Sequence, residues 1–552
     1  MQNLNAPDMA QGFTPMPAGT LLDVAVRRFG QHHAIDFLGR RYRYDEIGAL
    51  ANRAAAGLQA LGVGKGVNVG LCLPNTPYSV IMYFAILKAG GTVVNINPLY
   101  TAHEMETILR DCGVGMLVTL DAAPIYEKIA GLVGGGLLKR VVICRLARAL
   151  PWAKGLALRL LRGKELAKIP AGAPYVEFTT LLGAAATPTP VQIDPARDIA
   201  VLQFTGGTTG TPKAAMLTHA NVTVNVQQVQ AAMPQIVPGA ERVLGVLPFF
   251  HVFAMTAVMN LGLSIGAELL LLPRPEAKPL MQLIYRRRPT ILPGVPTLFT
   301  AIGNAAEQAG RTDLSFVKFC VSGGAPLSVE VMERFERLSQ SRILEGYGLS
   351  ETSPVLTLSR EALVKPGSVG PAVPGTVLEI RDPAHPEKIL PQGERGEICA
   401  RGPQVMRGYY NKPEETTYVF TDGAFRTGDI GYLDEDGYLF IVDRIKDVIL
   451  CGGFNVYPRV IEEAAYQHQA VQDAVAIGIP DAYRGQSPKL YVTLRPGMSA
   501  TAEDIRDFLR DKLNPIEMPK KVEIRDNLPK TMVGKLSKKE LVAEEAAKAK
   551  PA

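Results

Sequence analysis

The chain has 552 residues, 47% of them hydrophobic, and carries a formal net charge of +6. This length predicts roughly three or four domains or subdomains, and the apolar content is enough for large buried cores. The six cysteines are scattered, without a C-x-x-C pair or a His/Cys cluster, which argues against a zinc site or a disulfide framework and for a reducing compartment. The first residues contain neither a basic start nor an apolar core, so we expect no signal peptide and a cytoplasmic protein.

The first strong pattern in the chain is a strand, a helix and a second strand. "VNVGLCL" (67–73) is a continuous apolar run, residues 77–89 are helix-like, and "TVVNIN" (92–97) is apolar again. A βαβ unit of this kind implies a parallel sheet. "DIAVLQF" (198–204) predicts another buried strand, and loops that follow strands in such sheets are where ligands bind.

The segment 145–168 holds seven basic residues and one acid, so it accounts for the whole net charge. It also contains several leucines and Trp152, the only tryptophan. Such a mixture predicts peripheral contact with an anionic membrane, here the inner face of the cell membrane. An ordinary solvated surface helix gives the same pattern, and Pro151 and Gly155 disfavour one continuous helix. Because the other charges balance and no binding motif is present, we expect no nucleic-acid partner.

The stretch "FTGGTTGTPK" (204–213) concentrates glycine amides, threonine hydroxyls and a terminal lysine. These groups suit a polyphosphate, although the spacing differs from the G-x-x-x-x-G-K-[ST] loop and a plain hairpin or linker explains the composition equally well. The apolar run 252–272 is interrupted by Asn260, Ser264 and Glu268. We therefore expect a buried helix followed by a strand there, and no membrane span.

The character of the chain changes after residue 370. "GEICARG", "GYLFIVDR" and "DVILCGG" predict short strands of a barrel-like or antiparallel subdomain. Beyond Arg444, short helices alternate with short strands, as in a compact α+β domain, so we place the domains at 1–443 and 444–552. The tail "KKELVAEEAAKAKPA" (538–552) has the composition of a fraying, charged end.

Several short motifs carry groups suited to nucleotide chemistry. In "EGYGLSET" (345–352), Tyr347 suits stacking on a base, Ser350 suits donation to a phosphate, and Glu351 suits Mg²⁺. Asp429 in "RTGDIG" suits two neighbouring ribose hydroxyls. Each motif alone also fits an ordinary turn, and a lysine such as Lys535 near a chain end is usually only solvated.

The succession of motifs resembles the acyl-adenylate-forming superfamily of acyl-CoA synthetases, adenylation domains and beetle luciferases. The motifs, in order, are TGGTTGTPK, PFFHVFA, SGGAPL, EGYGLSE, TGD, DRIKD, GGFNVYP and PKTMVGK. "NPLYT" (97–101), "GPQVMRGYYNKPE" (402–414) and "VDRIKDVILCGGFNVYP" (442–458) are similar to bacterial long-chain fatty acid–CoA ligases. The resemblance spans about residues 20–541. It implies an α/β fold, in which a large N-terminal domain of parallel sheets flanked by helices, with a small β-barrel-like subdomain, precedes a small mobile α+β domain.

The resemblance implies a two-step reaction that feeds fatty acid degradation or lipid metabolism. A carboxylate attacks the α-phosphate of ATP with Mg²⁺ bound, giving acyl-AMP and pyrophosphate, and the thiol of coenzyme A then displaces AMP. Adenylation is needed because a free carboxylate has no good leaving group, and fixed cations stabilise the charge that accumulates around phosphorus.

The resemblance also assigns residues to this chemistry. The catalytic residues are Lys535, Lys213 and Glu351, and Glu351 with Thr208 holds the metal. ATP is expected to contact Thr205, Gly206, Gly207, Thr208, Thr209, Gly210, Lys213, Gly324, Ala325, Pro326, Glu345, Gly346, Tyr347, Gly348, Ser350, Asp429 and Arg444. Lys446 is the hinge about which the C-terminal domain rotates to withdraw Lys535. The acyl or CoA side is assigned His251, Phe253, Met255, Gly323, Gly452, Gly453, Phe454 and Lys489.

His251 has two interpretations, a general base or a wall or gate of the acyl pocket. We favour the wall or gate, because a fatty carboxylate is already ionised and needs no base.

Other functions remain open from the sequence. One alternative is that the acid is a medium-chain dicarboxylic acid instead of a fatty acid, and a second is that the enzyme loads a separate carrier protein. Against the second, no Asp lies in 248–260 to pair with the ammonium group of an amino acid. A lipid-binding protein without catalysis is disfavoured because Lys213, Glu351, Asp429, Arg444 and Lys535 are all present. A homodimer is expected only because dimers are common among relatives.

Overall fold

The structure is a computed structural model that describes residues 12–205, 212–274, 276–452, 454–481, 483–531 and 535–549. The α-helices are α1 (Thr20–Phe29), α2 (Tyr44–Ala60), α3 (Pro77–Lys88), α4 (Ala102–Asp111), α5 (Ala123–Gly134), α6 (Leu146–Ala149), α7 (Trp152–Leu161), α8 (Phe178–Leu181), α9 (His219–Ala232), α10 (Leu261–Ser264), α11 (Ala277–Arg287), α12 (Pro296–Gln308), α13 (Val329–Ser339), α14 (Pro413–Tyr418), α15 (Pro458–Tyr466), α16 (Ala502–Arg510) and α17 (Lys538–Ala549). A π-helix covers Ala254–Asn260, and 3₁₀ turns cover Gly163–Glu165, Ser350–Thr352 and Ile445–Asp447.

The strands are distributed over four sheets. They are β1 (His33–Phe37), β2 (Arg40–Arg43), β3 (Asn68–Cys72), β4 (Thr92–Asn95), β5 (Met116–Leu120), β6 (Arg140–Cys144), β7 (Tyr175–Glu177), β8 (Ile199–Thr205), β9 (Lys213–Thr218), β10 (Arg242–Gly245), β11 (Glu268–Leu271), β12 (Ile291–Gly294), β13 (Phe319–Gly323), β14 (Arg342–Gly348), β15 (Val355–Leu358), β16 (Ser368–Pro371), β17 (Val377–Arg381), β18 (Gly396–Arg401), β19 (Phe420–Thr421), β20 (Ala424–Leu433), β21 (Tyr438–Arg444), β22 (Ile449–Cys451), β23 (Phe454–Val456), β24 (Val471–Asp481), β25 (Gly485–Leu494) and β26 (Lys521–Ile524).

The first sheet has the order β7-β6-β5-β3-β4-β8-β9 and is parallel except for the hairpin of β8 and β9. The predicted βαβ unit is confirmed as β3-α3-β4. Thr76 caps α3, Pro77 starts it, and Gly90 ends it at a φ of +88°. In the sequence, the Gly/Thr-rich stretch falls between β8 and β9 of this sheet, and its residues 206–211 lie outside the described residues.

The second sheet has the order β15-β14-β13-β12-β10-β11-β1-β2, with parallel pairing from β14 to β1. The apolar run 252–272 folds as expected, because the π-helix, α10 and β11 are all buried. Nowhere in the described ranges is there a helix with the length and apolarity that a membrane crossing requires. Helices pack on both parallel sheets, which confirms the α/β class.

The third sheet, β16-β21-β20-β18-β17 with β19 beside β20, is antiparallel, as predicted for the region after residue 370. The prediction is wrong for "DVILCGG". Its strand β22 pairs with β23 and β25, so it belongs to the C-terminal sheet β23-β22-β25-β24, to which β26 also adds. The change of sheet therefore falls between Arg444 and Ile449.

The charged tail also differs from its prediction. Residues 538–549 form α17, and Leu541 is fully buried in a small core with Val475 and Tyr491. Glu545 on the same helix accepts a hydrogen bond from the buried ammonium of Lys489 at 3.0 Å. Leu541 and the ion pairs of Glu545 with Lys489, of Glu544 with Arg525 and of Lys538 with Glu462 thus fix the helix on the C-terminal domain.

Candidate active site

A cavity of about 1400 Å³ lies where the carboxyl ends of β8, β13 and β14 meet the C-terminal domain. Parallel strands place their carboxyl ends at one edge, which is the usual ligand edge of open α/β sheets. The cavity brings together the predicted residues Thr205, Lys213, His251, Phe253, Gly323, Gly324, Ala325, Pro326, Glu345, Gly346, Tyr347, Gly348, Ser350, Glu351, Asp429, Arg444, Lys446 and Lys535. Segments more than 300 residues apart in the chain therefore share one site.

The remaining predicted residues are not among the described residues that line this cavity. Gly206, Gly207, Thr208, Thr209, Gly210 and Gly453 lie outside the described residues. Met255 is fully buried behind the cavity wall, where its sulfur contacts the Asn95 amide at 3.3 Å. Gly452 and the largely exposed Phe454 lie at the β22–β23 hairpin, away from the lining.

Lys489, which the resemblance assigns to the acyl or CoA side, is not among the residues that line the cavity, and that assignment stays a prediction. Its ammonium is buried inside the C-terminal domain and pairs with Glu523 at 2.7 Å and Glu545 at 3.0 Å. Two carboxylates thus balance the buried charge.

Asp429 sits at the centre of a polar group on β20. Its Oδ2 accepts a hydrogen bond from the Tyr347 hydroxyl at 2.6 Å, and its Oδ1 lies 3.2 Å from Nε of Arg444. Burial raises the pKa of Asp429, and the Arg444 charge opposes that rise. Each carboxylate oxygen has two lone-pair directions, so Asp429 keeps acceptor capacity for two hydroxyls.

Glu351 lies in the 3₁₀ turn after β14 and is buried at the cavity. Its Oε1 accepts a hydrogen bond from the Tyr409 hydroxyl at 2.8 Å. Burial raises the pKa of Glu351, and the Tyr409 hydrogen bond lowers it. Within the described ranges, no group of three or more His, Cys, Asp or Glu is placed to hold a metal ion. A single carboxylate fits Mg²⁺, which commonly binds through one or two carboxylates plus substrate phosphates.

Lys535 reaches into the site from the C-terminal domain. A Cβ placed on Gly324, whose φ is +79°, would lie 3.0 Å from its Cε and 3.1 Å from its Nζ. Burial and then the Arg444 charge lower the pKa of Lys535 to about 8, and Asp429 opposes this. The ammonium therefore faces the loop to which the adenine contacts were assigned.

His251 follows β10 in the loop before the π-helix. Its Nδ1 accepts a hydrogen bond from the Phe253 amide at 3.3 Å, which places the ring proton of the neutral form on Nε2. Burial and the Lys535 charge lower its pKa to about 3. A neutral ring whose Nδ1 is an acceptor and whose Nε2 carries the proton favours the wall or gate interpretation over the base.

One arm of the cavity is apolar. Neighbouring strands of the second sheet, the end of α9 and α10 line it with Val229, Met233, Ile236, Val243, Leu261, Ile265, Ile291 and Phe319. None of the described lining residues from these elements is charged. The charged lining lies with the nucleotide groups and the hinge.

Contacts across the hinge hold the C-terminal domain in place. Arg495 pairs with Glu330 at the start of α13. Lys538 lies 4.0 Å from Asp443, which precedes the C-terminal domain, and 3.2 Å from Glu462 inside that domain. The sequence does not show the pairs of Arg495 with Glu330 and of Lys538 with Asp443, because each joins segments that are far apart in the chain.

Sequence comparison identifies relatives over nearly the whole chain. The family model "AMP-binding enzyme" matches residues 22–410, and "AMP-binding enzyme C-terminal domain" matches residues 460–535. The long-chain-fatty-acid–CoA ligase of Bacillus subtilis (strain 168) is 42% identical, covering 96% of this chain and 95% of its own. The ligase of the same name from Yersinia pestis is 38% identical, with 95% and 94% covered.

Solved structures share the architecture. ATP-bound MatB from Rhodopseudomonas palustris superposes with a TM-score of 0.83 at 28% identity, covering 97% of this chain and 99% of its own. The anthranilate CoA ligase AuaEII, solved with anthranoyl-AMP, gives a TM-score of 0.86 at 25% identity, with 98% and 100% covered.

Proposed function

This chain belongs to the AMP-binding enzyme family, and from that premise we propose that it is a long-chain fatty acid–CoA ligase. It is an AMP-forming acid–thiol ligase that uses ATP, Mg²⁺ and coenzyme A and proceeds through acyl-AMP. One observation supports a fatty acid as the substrate. A single continuous cavity is charged around Lys213, Glu351 and Asp429 and apolar along α9 and β10.

In the first half-reaction, a carboxylate oxygen bonds to the α-phosphorus and the bond to pyrophosphate breaks. We assign Lys535 to the developing charge between the carboxylate and the α-phosphate, and Asp429 with Arg444 to the ribose. Lys213 faces the outer phosphates, and Glu351 would hold Mg²⁺, which supplies positive charge to the phosphates when bound. His251 donates from Nε2 at the wall beside the acyl arm.

In the second half-reaction, the thiolate of coenzyme A bonds to the acyl carbon and AMP leaves. We propose that the C-terminal domain, residues 444–552, first rotates about Lys446, which withdraws Lys535. The contacts of Arg495 and Lys538 must then break, so the observed arrangement is that of adenylation. Such gating separates phosphate chemistry from thiol chemistry.

The apolar arm favours a monocarboxylic acid over the dicarboxylic alternative. The second carboxylate of a dicarboxylic acid would lie in the uncharged arm of the cavity. There it would lose its hydration without gaining a charged partner. We therefore expect kcat/KM for hexadecanoate to exceed that for hexadecanedioate by roughly 10²-fold.

Pyrophosphate release over a series from butanoate to octadecanoate, with the matching diacids, tests this. Equal activity on the diacids would contradict the assignment. Transfer to free coenzyme A and not to a phosphopantetheinyl carrier protein separates the proposal from the carrier-loading alternative.

We further propose that the segment 145–168 of this cytoplasmic protein touches the anionic inner face of the membrane. Pro151 separates α6 from α7, and α7 exposes Trp152 (83%), Leu160 (74%) and Leu161 (83%). Arg159 and Arg162 are exposed on the same helix end, whereas Arg145 turns inward to Glu177 and Asp121. Apolar and basic groups exposed together suit an anionic surface. A homodimer stays an expectation from the resemblance alone.

A further inference from the structure

We propose that Tyr409 is a positioning residue that holds Glu351 and Lys213 apart and aims each at its ligand. Its hydroxyl orients the carboxylate toward the metal, and its ring supports the ammonium that faces the phosphates. The inference rests on the proposed function, because that function gives Glu351 and Lys213 their ligands.

Tyr409 touches both groups at once. Its hydroxyl donates to Oε1 of Glu351 at 2.8 Å, and Nζ of Lys213 lies 5.3 Å from the centre of its ring. The side chain is buried at the wall of the cavity. Among the described residues, Tyr409 is the one whose side chain donates a hydrogen bond to the Glu351 carboxylate, and it does so at Oε1.

The backbone around Tyr409 is fixed to the strand that begins with Lys213. Amide hydrogen bonds run from Met216 to Gly408 and from Tyr410 to Ala214, both at 2.8 Å, so residues 408–410 add an edge to β9. The Tyr409 amide itself donates to Thr416 Oγ1 at 2.8 Å. These backbone hydrogen bonds fix the position of Tyr409 relative to β9 independently of its side-chain contacts.

The arrangement solves an electrostatic problem. A lysine and a glutamate in one partly desolvated cavity attract each other, and a direct pair would neutralise the two charges that ATP and its metal need. Lys213 forms no salt bridge with any carboxylate in the described part of the chain. The aromatic face gives the ammonium a neutral partner, and the hydroxyl gives the carboxylate another.

Three variants test the two contacts separately. Tyr409→Phe removes the hydroxyl and keeps the ring, Tyr409→Leu removes both, and Tyr410→Phe is the control. The hydroxyl of Tyr410 lies 3.4 Å from the Asn68 amide, away from the site. The readouts are calorimetric ATP affinity with Mg²⁺ and with EDTA, the Mg²⁺ concentration for half-maximal pyrophosphate release, and the thermal unfolding midpoint.

For Tyr409→Phe we expect roughly tenfold weaker Mg²⁺-dependent ATP binding and a roughly tenfold higher Mg²⁺ requirement, restored at saturating Mg²⁺. Its ATP affinity in EDTA should equal that of the wild type. For Tyr409→Leu we expect, in addition, roughly threefold to tenfold weaker binding in EDTA, because the support of Lys213 is lost.

The proposal is overturned if Tyr409→Phe and Tyr410→Phe show the same Mg²⁺ dependence. It is also overturned if saturating Mg²⁺ does not restore ATP binding and pyrophosphate release in Tyr409→Phe while the unfolding midpoint of that variant is unchanged. Equal EDTA affinities for the Leu and Phe variants would overturn the role of the ring. If Tyr409→Leu does not fold, Tyr409→Phe decides the proposal. Should wild-type protein bind MgATP but never release pyrophosphate with any fatty acid, the proposed function fails, while the binding measurements still decide the role of Tyr409.

Discussion

The amine of Lys535 lies against the backbone of Gly324, close enough that a Cβ on that glycine would be 3.1 Å from Nζ. One residue comes from the C-terminal domain and the other from the loop after β13, so the contact exists only in this domain arrangement. Gly324 leaves the space that the lysine side chain occupies, and its φ of +79° favours glycine in any case. If Lys535 acts in adenylation as proposed, this contact makes that step depend on the position of the C-terminal domain.

Lys535→Ala should lower adenylation by roughly 10² to 10³, the usual effect of losing one preorganised charge donor. Thioester formation from supplied acyl-AMP should be nearly unchanged, because the proposed rotation withdraws Lys535 in that step. Pyrophosphate release that depends on the acid measures adenylation, and conversion of synthetic acyl-AMP measures thioester formation. Lys521→Ala, which is exposed at the start of β26 and is not among the residues that line the cavity, is the control. Equal losses in both halves would contradict the two-position mechanism.

The rate of adenylation should depend on pH through the protonation of the same lysine, Lys535. Its pKa is lowered to about 8 by burial and by Arg444, so the charged form is lost as the pH rises through that value. We expect kcat/KM for ATP, which reports the free enzyme, to fall above about pH 8. The decline of kcat should occur at a higher pH, because the phosphates of bound ATP stabilise the protonated form of Lys535. A profile of kcat/KM that stays flat through pH 10 would argue that Lys535 need not be charged.

Much of the fold followed from local pattern. The apolar runs around α3 and the glycines after it predict the βαβ unit, because a buried parallel strand leaves few other arrangements. The strand of "DVILCGG" was assigned to the wrong sheet, because short strands carry no information about which partner they pair with. That choice depends on Cys451 reaching Gly485 in a later strand.

Prediction of the candidate site has the same limit, because local sequence does not show which distant segments come into contact. Residue type alone pointed to Glu351, Asp429 and Tyr347, and the family resemblance to Lys213 and Lys535. Tyr409 was quoted only as part of a family motif, because its contact with Glu351 depends on pairing between residues nearly 200 positions apart. The environment of Lys489 is hidden for a related reason: the tail has the composition of a free, charged end, and the sequence does not show that Glu545 within it pairs with Lys489.

Membrane contact by α7 should depend on charge. Changing Arg159, Arg162 and Lys164 to Gln should weaken binding to phosphatidylserine-containing vesicles by roughly 10²-fold, at about 1 kcal/mol for each basic residue near the surface. Activity on a water-soluble acid such as octanoate should not change. The matched control changes Arg506, Arg510 and Lys512, which are exposed on and after α16. Sedimentation with vesicles measures the effect. Unaltered binding of the first variant would remove the membrane proposal.

The tail helix should contribute to stability through a single side chain. Leu541 is fully buried, whereas its neighbour Val542 is 47% exposed. Leu541→Ala should lower the free energy of unfolding of the C-terminal domain by about 2–5 kcal/mol, because it leaves a cavity. Val542→Ala should change it by less than about 1 kcal/mol. Urea unfolding followed by hydrogen exchange in residues 444–549 measures both. Equal small effects would mean that α17 frays, as its composition predicts, and Lys489 would then have to exchange its partner Glu545 for water.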